Sequence, residues 1–245
     1  MTHTPVRLNM WAGPRNISTT MMRSFENRPD TDVIDEPFYA YYLKETGAPH
    51  PMRAESMAAL PQTFEGVVDL LTAPEAASPV IFHKQIAYHF LDERQLPLDW
   101  LDGQRTFLLI RDPRAMVASY AKKFDDIAPI TGSLGVQKRI FDHLTARGAP
   151  CPVVDAADIL KNPEGVLRAL CAALDLAFVG DMLSWPAGRR ASDGVWGPHW
   201  YDAVEQSTGF RPYVEKTIDL TAAQEEIADA CAPGYRFLHG RRLTV

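Results

Sequence analysis

The chain has 245 residues, of which 46% are hydrophobic, and its formal net charge is −6, from 25 basic and 31 acidic side chains. This balance argues against a nucleic-acid or anionic-membrane partner, because both need a large excess of Lys and Arg. The length and the even composition predict a single α/β domain over residues 1–245. Any anionic ligand must therefore be held by a local pocket.

The cysteines and the N-terminal residues bear on the cellular compartment. Cys151, Cys171 and Cys231 lie far apart without Cys-x-x-Cys spacing, which favours neither a disulfide framework nor a zinc site. Residues 1–11 hold no apolar segment of signal-peptide length, and no stretch approaches the ~20 apolar residues that span a bilayer. We therefore expect a cytoplasmic protein with no membrane partner. Its oligomeric state stays open.

Predicted strands and helices alternate along the chain. Alternating apolar residues from Val6 to Met10 predict a first strand, which Gly13-Pro14 ends. Further strands are predicted at residues 31–35, 79–82, 106–110 and 152–154. Helices are predicted at residues 18–28, 63–71, 86–92, 113–122, 134–147, 163–174 and 221–231. This alternation predicts a three-layer α/β/α fold with a mostly parallel central sheet.

The segment after the first strand has the composition of an anion-binding loop. Residues 13–20 offer backbone N–H groups, the hydroxyls of Ser18, Thr19 and Thr20, and the cation of Arg15. A helix that begins at the carboxyl end of a parallel strand directs such groups at an anion. The Gly-Lys-Ser/Thr ending of a Walker A motif is missing, which disfavours a magnesium-dependent nucleoside triphosphatase. The alternative is a helix, capped by Ser18 or Thr19, after a Pro-Arg turn.

A second candidate anion site follows the predicted strand at residues 106–110. This strand delivers Arg111 to its carboxyl end, Pro113 takes a favoured first position of a helix, and Ser119 follows about two turns later. Arg111 and Ser119 are thereby placed to bind one phosphate group. The alternative is a local ion pair between Arg111 and Asp112, with Ser119 an ordinary helical residue.

Both segments resemble motifs of the sulfotransferases. Residues 14–19, Pro-Arg-Asn-Ile-Ser-Thr, are similar to the 5′-phosphosulfate loop of that family. Residues 111–120 are similar to its 3′-phosphate motif, with matches at Arg111, Pro113, Arg114, Ser119 and Tyr120. The resemblance implies a P-loop NTPase-like sulfotransferase fold. It also implies that the co-substrate is 3′-phosphoadenosine 5′-phosphosulfate (PAPS) and that the product is adenosine 3′,5′-bisphosphate. Because sulfate carries less charge than phosphate, we expect that no metal is required.

The resemblance also assigns roles within the first loop. Its candidate donor-binding residues are Arg15, Asn16, Ile17, Ser18, Thr19 and Thr20. Asn16 contributes as a backbone donor, and Arg15 is the candidate cation that neutralises the leaving 5′-phosphate. Ile17 departs from the family pattern, which has Gly at this position. A Gly adopts positive φ freely, whereas a β-branched residue does not.

A third stretch, residues 188–196, resembles a degraded form of the family's C-terminal Arg-Lys-Gly-x-x-Gly-Asp-Trp-Lys segment. Four residues match in kind and become candidate donor-binding residues: Arg189, Arg190, Gly194 and Trp196. Ala191 and Gly197 replace the expected Gly and Lys. The alternative is a surface loop with scattered basic residues. Residues 199–201, His-Trp-Tyr, are candidates to cover the adenine or the acceptor.

Sulfuryl transfer needs an in-line acceptor, a base for its proton, and cations for the spreading negative charge. The candidate bases are Glu36, His83 and His89. Glu36 ends a predicted strand and resembles the Glu-Pro element of carbohydrate-type sulfotransferases, in which a Glu is the base. Partial burial would raise its pKa toward working pH; the alternative is a solvated turn. Lys84 is a candidate to stabilise the bridging oxygen or the acceptor, and a lone His beside a strand is more often structural.

These observations predict transfer of a sulfuryl group from PAPS to a hydroxyl, or less favourably an amine, of a small-molecule acceptor. The aromatic run at residues 38–42 and the Pro- and His-rich excursion at residues 47–61 are candidate acceptor walls. Two alternatives stay open. One is a kinase-like phosphotransferase on a related fold. The other is a non-catalytic nucleotide-binding relative, which Ile17 and the degraded C-terminal stretch favour.

Overall fold

The chain folds around a five-stranded sheet in which every named strand pair is parallel. The computed structural model describes residues 4–91 and 94–245. The strands are β1 (Val6–Ala12), β2 (Thr31–Asp35), β3 (Val80–Ile86), β4 (Arg105–Ile110) and β5 (Val153–Asp155). Their order across the sheet is β2-β3-β1-β4-β5. The predicted α/β class with a mostly parallel central sheet is confirmed.

Helices flank the sheet and connect its strands. Within the described residues they are α1 (Ser18–Glu26), α2 (Tyr39–Thr46), α3 (Arg53–Ala59), α4 (Phe64–Thr72), α5 (Pro113–Tyr120), α6 (Thr131–Ala146), α7 (Ala156–Lys161), α8 (Pro163–Ala173), α9 (Gly197–Trp200), α10 (Asp202–Glu205) and α11 (Ala222–His239). Short 3₁₀ turns join some of them, among them Ala87–Phe90. No helix in the described part of the chain combines the length and the apolar character needed to cross a bilayer.

Several local predictions differ from the structure. The strand predicted at residues 79–82 continues to Ile86, so the helix predicted at 86–92 is reduced to the 3₁₀ turn Ala87–Phe90, and residue 92 lies outside the described part. The excursion at residues 47–61 contains α3, and α7 was not predicted. Neither Ser18 nor Thr19 caps α1, because the N-cap position belongs to Ile17 and no side chain caps the helix.

The core fixes the first loop by holding the helix that follows it. Met21, Met22 and Phe25 of α1 are fully buried, and the Phe25 ring stacks on Phe82 of β3 with 4.6 Å between centroids. Burying each such side chain contributes about 1.5–3 kcal/mol. The loop between β1 and α1 is therefore anchored at both ends by buried elements.

The connections leave the sheet in opposite directions at β1. The chain passes from β1 by way of α1 to β2 on one side, and from β3 across β1 to β4 on the other. Gln137 of α6 bridges this point, because its buried amide donates to the carbonyls of Trp11 (2.8 Å) and Leu109 (3.0 Å). Ligands of open parallel sheets bind beyond the carboxyl ends of the strands at such a switch point.

Candidate functional site

A cavity of about 950 Å³ lies over the carboxyl ends of the strands. Its walls include residues that directly follow or end four strands: Glu36 after β2, Ile86 at the end of β3, Arg111 after β4, and Asp155 at the end of β5. The loop after β1 forms the floor between them. We call the wall residues 14–20, Arg111 and Ser119 the basic half, and the wall residues Glu36, Tyr39, His50, His89, Phe124 and Trp200 the aromatic half.

The basic half brings the two predicted anion sites together. Arg111 donates from its guanidinium to the backbone carbonyl of Arg15, and Arg15 Nε lies 3.5 Å from Ser119 Oγ. Burial lowers the pKa of both arginines, and the charge of Arg15 lowers that of Arg111 further. Both side chains nevertheless remain protonated. Two like charges held this close in a cavity favour an anionic ligand between them.

The loop after β1 has left-handed backbone at two non-glycine residues. Arg15 has φ 59°, and Ile17 has φ 58° and ψ 21°. Such a conformation costs an L-residue about 1–2 kcal/mol. Left-handed residues that alternate with right-handed ones form a nest whose N–H groups bind an anion, and the positive φ of Arg15 and Ile17 suits such a loop. Ile17 therefore adopts the positive φ that the glycine of the family pattern would adopt freely.

Asn16 ties this loop to the neighbouring strand. Its side chain is 1% exposed and donates from Nδ2 to the carbonyl of Leu109 at 3.2 Å. The space beside Gly13 is also filled, because a Cβ there would lie 3.1 Å from Asn16 Nδ2 and from Met116 Sδ. Ser18, Thr19 and Thr20 line the cavity. Since no side chain caps α1, their hydroxyls are available to a ligand.

Sequence reasoning missed one wall, the extended segment 209–219, which we call the strap. It adds the exposed cations Arg211 and Lys216 to the cavity. Its contacts include hydrogen bonds from Tyr213 N–H to the carbonyl of Leu160 at 3.3 Å, from Arg114 to the carbonyl of Ile218 at 3.2 Å, and from Arg211 to the carbonyl of Ala203 at 3.0 Å. The strap has no regular secondary structure and no recognisable motif. The sequence feature that could have identified the strap is the pair of basic residues, Arg211 and Lys216, in a stretch that contains Pro212.

In the aromatic half, Glu36 is held by a buried polar network. Lys84 Nζ donates to Asp35 Oδ1 (2.8 Å), Glu36 Oε1 (2.5 Å) and the hydroxyl of Tyr201 (2.8 Å). The Tyr201 hydroxyl donates to Asp35 Oδ2 at 2.6 Å, and the N–H of Gly194 donates to the same oxygen at 3.0 Å. Each atom of this network is therefore fixed by at least one neighbour, and Glu36 Oε2 is the carboxylate oxygen that Lys84 leaves free.

Burial dominates the electrostatics of Glu36. It raises the pKa of the carboxyl, the charge of Lys84 acts in the opposite direction, and the charge of Asp35 raises the pKa again. The side chain is 12% exposed, and it reaches the cavity. A carboxyl with a raised pKa that borders a cavity has the properties of a general base.

Lys84 lies elsewhere than predicted. Its side chain is 1% exposed, it is not part of the cavity wall, and its three N–H donors already serve Asp35, Glu36 and Tyr201. We therefore correct the interpretation that Lys84 contacts the bridging oxygen or the acceptor. It positions Glu36 and balances the charge of two buried carboxylates.

His83 is also placed away from the cavity. Successive strand residues face opposite sides of the sheet, so His83 points away from Lys84. Its Nδ1 bonds to Asn9 Oδ1 at 2.9 Å, and Asn9 Nδ2 donates to Gln104 Oε1 at 2.7 Å. Burial, followed by the charge of Arg7, lowers the pKa of His83 to about 3. This position corrects the interpretation of His83 as a second base and makes it a buried structural residue.

The third predicted stretch, residues 188–196, contacts the residues that hold Glu36. Arg189, Arg190, Gly194 and Trp196 are not in the cavity wall. Asp193 organises this stretch, because it accepts from the N–H of Arg190 at 2.8 Å and pairs with buried Arg23 at 2.6 Å. Gly194 holds Asp35, and Trp196 Nε1 donates to the Tyr201 hydroxyl at 3.2 Å. Gly194 and Trp196 therefore contact the Glu36 network, and none of the four residues borders the cavity in which the donor is expected.

The aromatic half of the cavity is built from rings of several elements. The ring of Tyr39 of α2 stacks on that of His89 at 4.9 Å, and its hydroxyl bonds to His50 Nδ1 at 2.9 Å. Phe124, from the segment after α5, stacks on Trp200 of α9 at 5.0 Å. All five side chains border the cavity. The predicted segments 38–42 and 47–61 thus each supply wall residues, although Phe38 itself is a core residue.

One cluster with metal-ligand chemistry lies elsewhere. Asp99, Asp102 and His143 place one ligand atom each within 4.8 Å of one another. Arg147 already pairs with Asp99 at 2.5 Å and with Asp102 at 2.9 Å. None of these residues borders the cavity. The cluster is therefore an exposed ion-pair network, separate from the candidate site.

Comparison with known proteins shows which family this chain is similar to. A family model described as a sulfotransferase domain matches residues 6–242. Two Arabidopsis thaliana proteins named branched-chain-amino-acid aminotransferase-like protein 2 and protein 1 are 33% and 36% identical over 232 and 234 residues. These matches cover 94% and 96% of this chain, but only 41% and 42% of the relatives. The chain thus spans about two fifths of the length of those proteins.

Solved structures show the same fold. The sulfotransferase domain of the Synechococcus PCC 7002 olefin synthase has a TM-score of 0.54 at 16% identity, covering 94% of this chain and 96% of that one. A sulfotransferase from Alicyclobacillus acidocaldarius also has a TM-score of 0.54, at 13% identity, covering 98% and 97%. At such low identity the likeness concerns the arrangement of strands and helices.

Proposed function

This chain belongs to the sulfotransferase domain family, and from that premise we propose that it transfers a sulfuryl group from PAPS to a hydroxyl of a small-molecule acceptor. One observation carries the proposal. Arg15 and Arg111 meet in one cavity, and Glu36, a buried carboxylate with a raised pKa, borders that same cavity. The cavity thus offers cations for an anionic donor and a base for an acceptor.

The basic half suits a nucleotide with two separate anionic groups. The nest of the β1–α1 loop and the guanidinium of Arg15 would bind the 5′-phosphosulfate, with Ser18, Thr19 and Thr20 as hydroxyl donors. Arg111 and Ser119 would bind the 3′-phosphate. Arg211 and Lys216 of the strap add positive charge from the opposite wall.

The aromatic half suits the acceptor. An acceptor hydroxyl beside Glu36 would give its proton to Oε2, because Oε1 already accepts from Lys84. The oxygen would form its bond to sulfur in line with the bond that breaks. The electron pair of that broken bond would leave on the 5′-phosphate, whose charge Arg15 stabilises. Positioning and electrostatics supply the catalysis in this scheme, and no residue forms a covalent bond.

The two alternatives fit the site less well. A kinase-like phosphotransferase needs a place for magnesium and a lysine for the phosphates, and the β1–α1 loop has Ser18 and Thr19 where a Walker A motif has its second glycine and its lysine. A non-catalytic nucleotide-binding relative was favoured by Ile17, but Ile17 adopts the left-handed conformation that a glycine would have. The names of the plant relatives belong to proteins of which this chain spans about two fifths, so transamination is not proposed.

A ligand comparison by thermal unfolding tests the donor. Adenosine 3′,5′-bisphosphate at 100 times its dissociation constant contributes about 2.7 kcal/mol, which raises the melting temperature of a chain of this size by roughly 5–10 °C. AMP and ATP with magnesium should raise it far less, because neither presents a 3′-phosphate. Stabilisation by ATP with magnesium alone would instead support a phosphotransferase.

A variant of the basic half sharpens this test. Arg111→Ala removes a charge-assisted contact and should weaken bisphosphate binding about 10–100-fold. Arg168→Ala is the matched control, because Arg168 is an exposed partner of Glu164 on α8 and does not border the cavity. Calorimetric titration compares the two variants. Equal affinities would show that Arg111 does not bind the donor.

A further inference from the structure

His89 is a buried histidine that the proposed reaction does not use. It lies in the 3₁₀ turn Ala87–Phe90, is 2% exposed, and borders the cavity. Among the described residues, neither Nδ1 nor Nε2 of its ring has a hydrogen-bond partner. Buried polar atoms are nearly always paired, because an unpaired one carries its full desolvation penalty. Two unpaired ring nitrogens at a cavity wall therefore point to a ligand that pairs with them.

The surrounding rings fix the orientation of His89. Tyr39 stacks on it at 4.9 Å, Tyr42 lies tilted against it at 4.8 Å, and the edge of Tyr88 meets it at 4.5 Å. Burial lowers its pKa well below the ordinary value, and the charges of His50 and Lys84 act in the same direction. A neutral imidazole offers one N–H donor and one lone pair. His89 can therefore donate to a ligand without acting as its base.

The free oxygen of Glu36 faces this ring. His89 Nδ1 lies 3.8 Å from Glu36 Oε2, which is too far for a direct hydrogen bond. An oxygen atom beside the line that joins these two atoms can lie about 2.8 Å from each, the ordinary hydrogen-bond length. With the proton of the neutral ring on Nδ1, a hydroxyl suits this place, because it donates its proton to Oε2 and accepts from the Nδ1 N–H. In that tautomer a protonated amine, which only donates, leaves the Nδ1 N–H without an acceptor.

The neighbouring walls favour an uncharged body behind that hydroxyl. Both faces of the Phe124 ring are covered, by Tyr120 at 4.3 Å and by Trp200 at 5.0 Å. Phe124 therefore offers no open ring face for a cation–π contact with an ammonium group. The negative charge of Glu36 disfavours an anionic acceptor. The rings of Tyr39, Phe124 and Trp200 at the cavity wall suit an apolar body.

We propose that the aromatic half binds an uncharged alcohol with an apolar body, and that His89 and Glu36 Oε2 clamp its hydroxyl oxygen between them. The inference rests on the proposed function and names the acceptor class for that site. In the reaction the hydroxyl proton passes to Glu36 Oε2, the oxygen bonds to sulfur, and the sulfur–oxygen bond to the 5′-phosphate breaks with its electron pair on the phosphate. His89 is thus a specificity residue that orients the acceptor.

Two matched pairs of acceptors test the class. Phenethyl alcohol and phenethylamine share one body and differ in the reacting group. Choline and its uncharged tert-butyl analogue share one shape and differ in charge. With PAPS as donor, we expect the uncharged alcohol of each pair to have at least a tenfold higher kcat/KM. Saturation-transfer NMR on the complex with adenosine 3′,5′-bisphosphate should rank the binding of the four compounds in the same order.

Variants at His89 test the clamp. His89→Phe keeps a flat ring among its neighbours and removes both nitrogens, so it should lower kcat/KM for the alcohol at least tenfold. His89→Gln keeps a donor and an acceptor and should restore most of that loss. His143→Phe is the control, because His143 lies on α6 and does not border the cavity. Its kcat/KM should match that of the wild type. The affinity for the bisphosphate should stay within twofold in all three.

The outcomes separate this inference from the proposed function. Preference for the amine or for choline overturns the acceptor class, as does failure of every uncharged alcohol to bind a protein that binds the bisphosphate. An unchanged kcat/KM in His89→Phe overturns the clamp. Failure of the wild type to bind the bisphosphate overturns the proposed function instead.

Discussion

The two halves of the cavity differ in whether their charged side chains are paired within the chain. In the basic half, Arg15 and Arg111 keep part of their surface exposed, and their contacts in the chain are to a carbonyl and a hydroxyl, so much of their charge is left for a ligand. In the aromatic half, Lys84 and Asp35 are 1% exposed and satisfy each other. The first half is built to bind an anion. The second is built to hold one carboxylate, that of Glu36, in a fixed position.

The largest expected effect falls on the aromatic half. Glu36→Gln removes the base and keeps the shape of the side chain, and general base catalysis typically contributes 10²–10⁴-fold. We therefore expect kcat to fall at least about 100-fold while bisphosphate affinity stays within twofold. Steady-state kinetics and calorimetric titration measure the two quantities separately. An equally large loss of bisphosphate affinity in Glu36→Gln would contradict the assignment of donor binding to the basic half and of the base to the aromatic half.

The pH profile of the wild type supplies the control for this prediction. The base must be ionised, so kcat/KM should fall as the pH drops through the pKa of Glu36. Burial raises that pKa, and the acid limb should consequently lie above the ~4.3 of an ordinary Glu. The residual activity of Glu36→Gln should lack this limb. If kcat/KM of the variant still falls at low pH as in the wild type, the titrating group is a residue other than Glu36.

The fold, the basic half and part of the aromatic wall could be predicted from local sequence, but the network that holds Glu36 could not. Arg111 directly follows β4 and Arg15 lies three residues beyond β1, and the carboxyl ends of parallel strands meet at one edge of a sheet. The Glu36 network instead joins residues 35, 84, 194 and 201, which are brought together only by tertiary packing. The sequence indicated Tyr201 only as an aromatic residue that could cover a ligand, and nothing in it indicates the hydrogen bond to Asp35. The strap was not predicted, because its sequence shows neither the hydrophobic periodicity of a helix or strand nor a recognisable motif.

The next largest effect concerns stability. Lys84→Met leaves Asp35 and Glu36 as adjacent buried carboxylates without their counter-ion, and removing one partner of a buried ion pair costs about 3–5 kcal/mol. Lys138→Met is the matched control, because Lys138 is an exposed partner of Asp142 on α6 and such pairs contribute about 0.3–0.5 kcal/mol. Urea unfolding measures both.

A double variant decides whether the cost comes from unpaired charge. Adding Asp35→Asn to Lys84→Met removes one of the two stranded carboxylates, so the pair should lose less stability than the sum of its single variants. Strict additivity would mean that Lys84 stabilises the protein by packing alone. The two halves would then differ in exposure and not in how they treat charge.

The smallest expected effect tests the loop of the basic half. Ile17 occupies left-handed backbone at φ 58°, and its half-buried side chain packs against the core. Replacing it with Gly relieves the backbone strain and loses the packing, whereas replacing it with Ala loses the packing and keeps the strain. Ile17→Gly should therefore be more stable than Ile17→Ala by about 1 kcal/mol. Urea unfolding of the two variants isolates this difference, because the lost side-chain contacts are nearly the same in both. Equal stabilities would indicate that the loop relaxes out of the left-handed region once Ile17 is gone. Bisphosphate affinity, which depends on the N–H groups of that loop, should then fall in both variants.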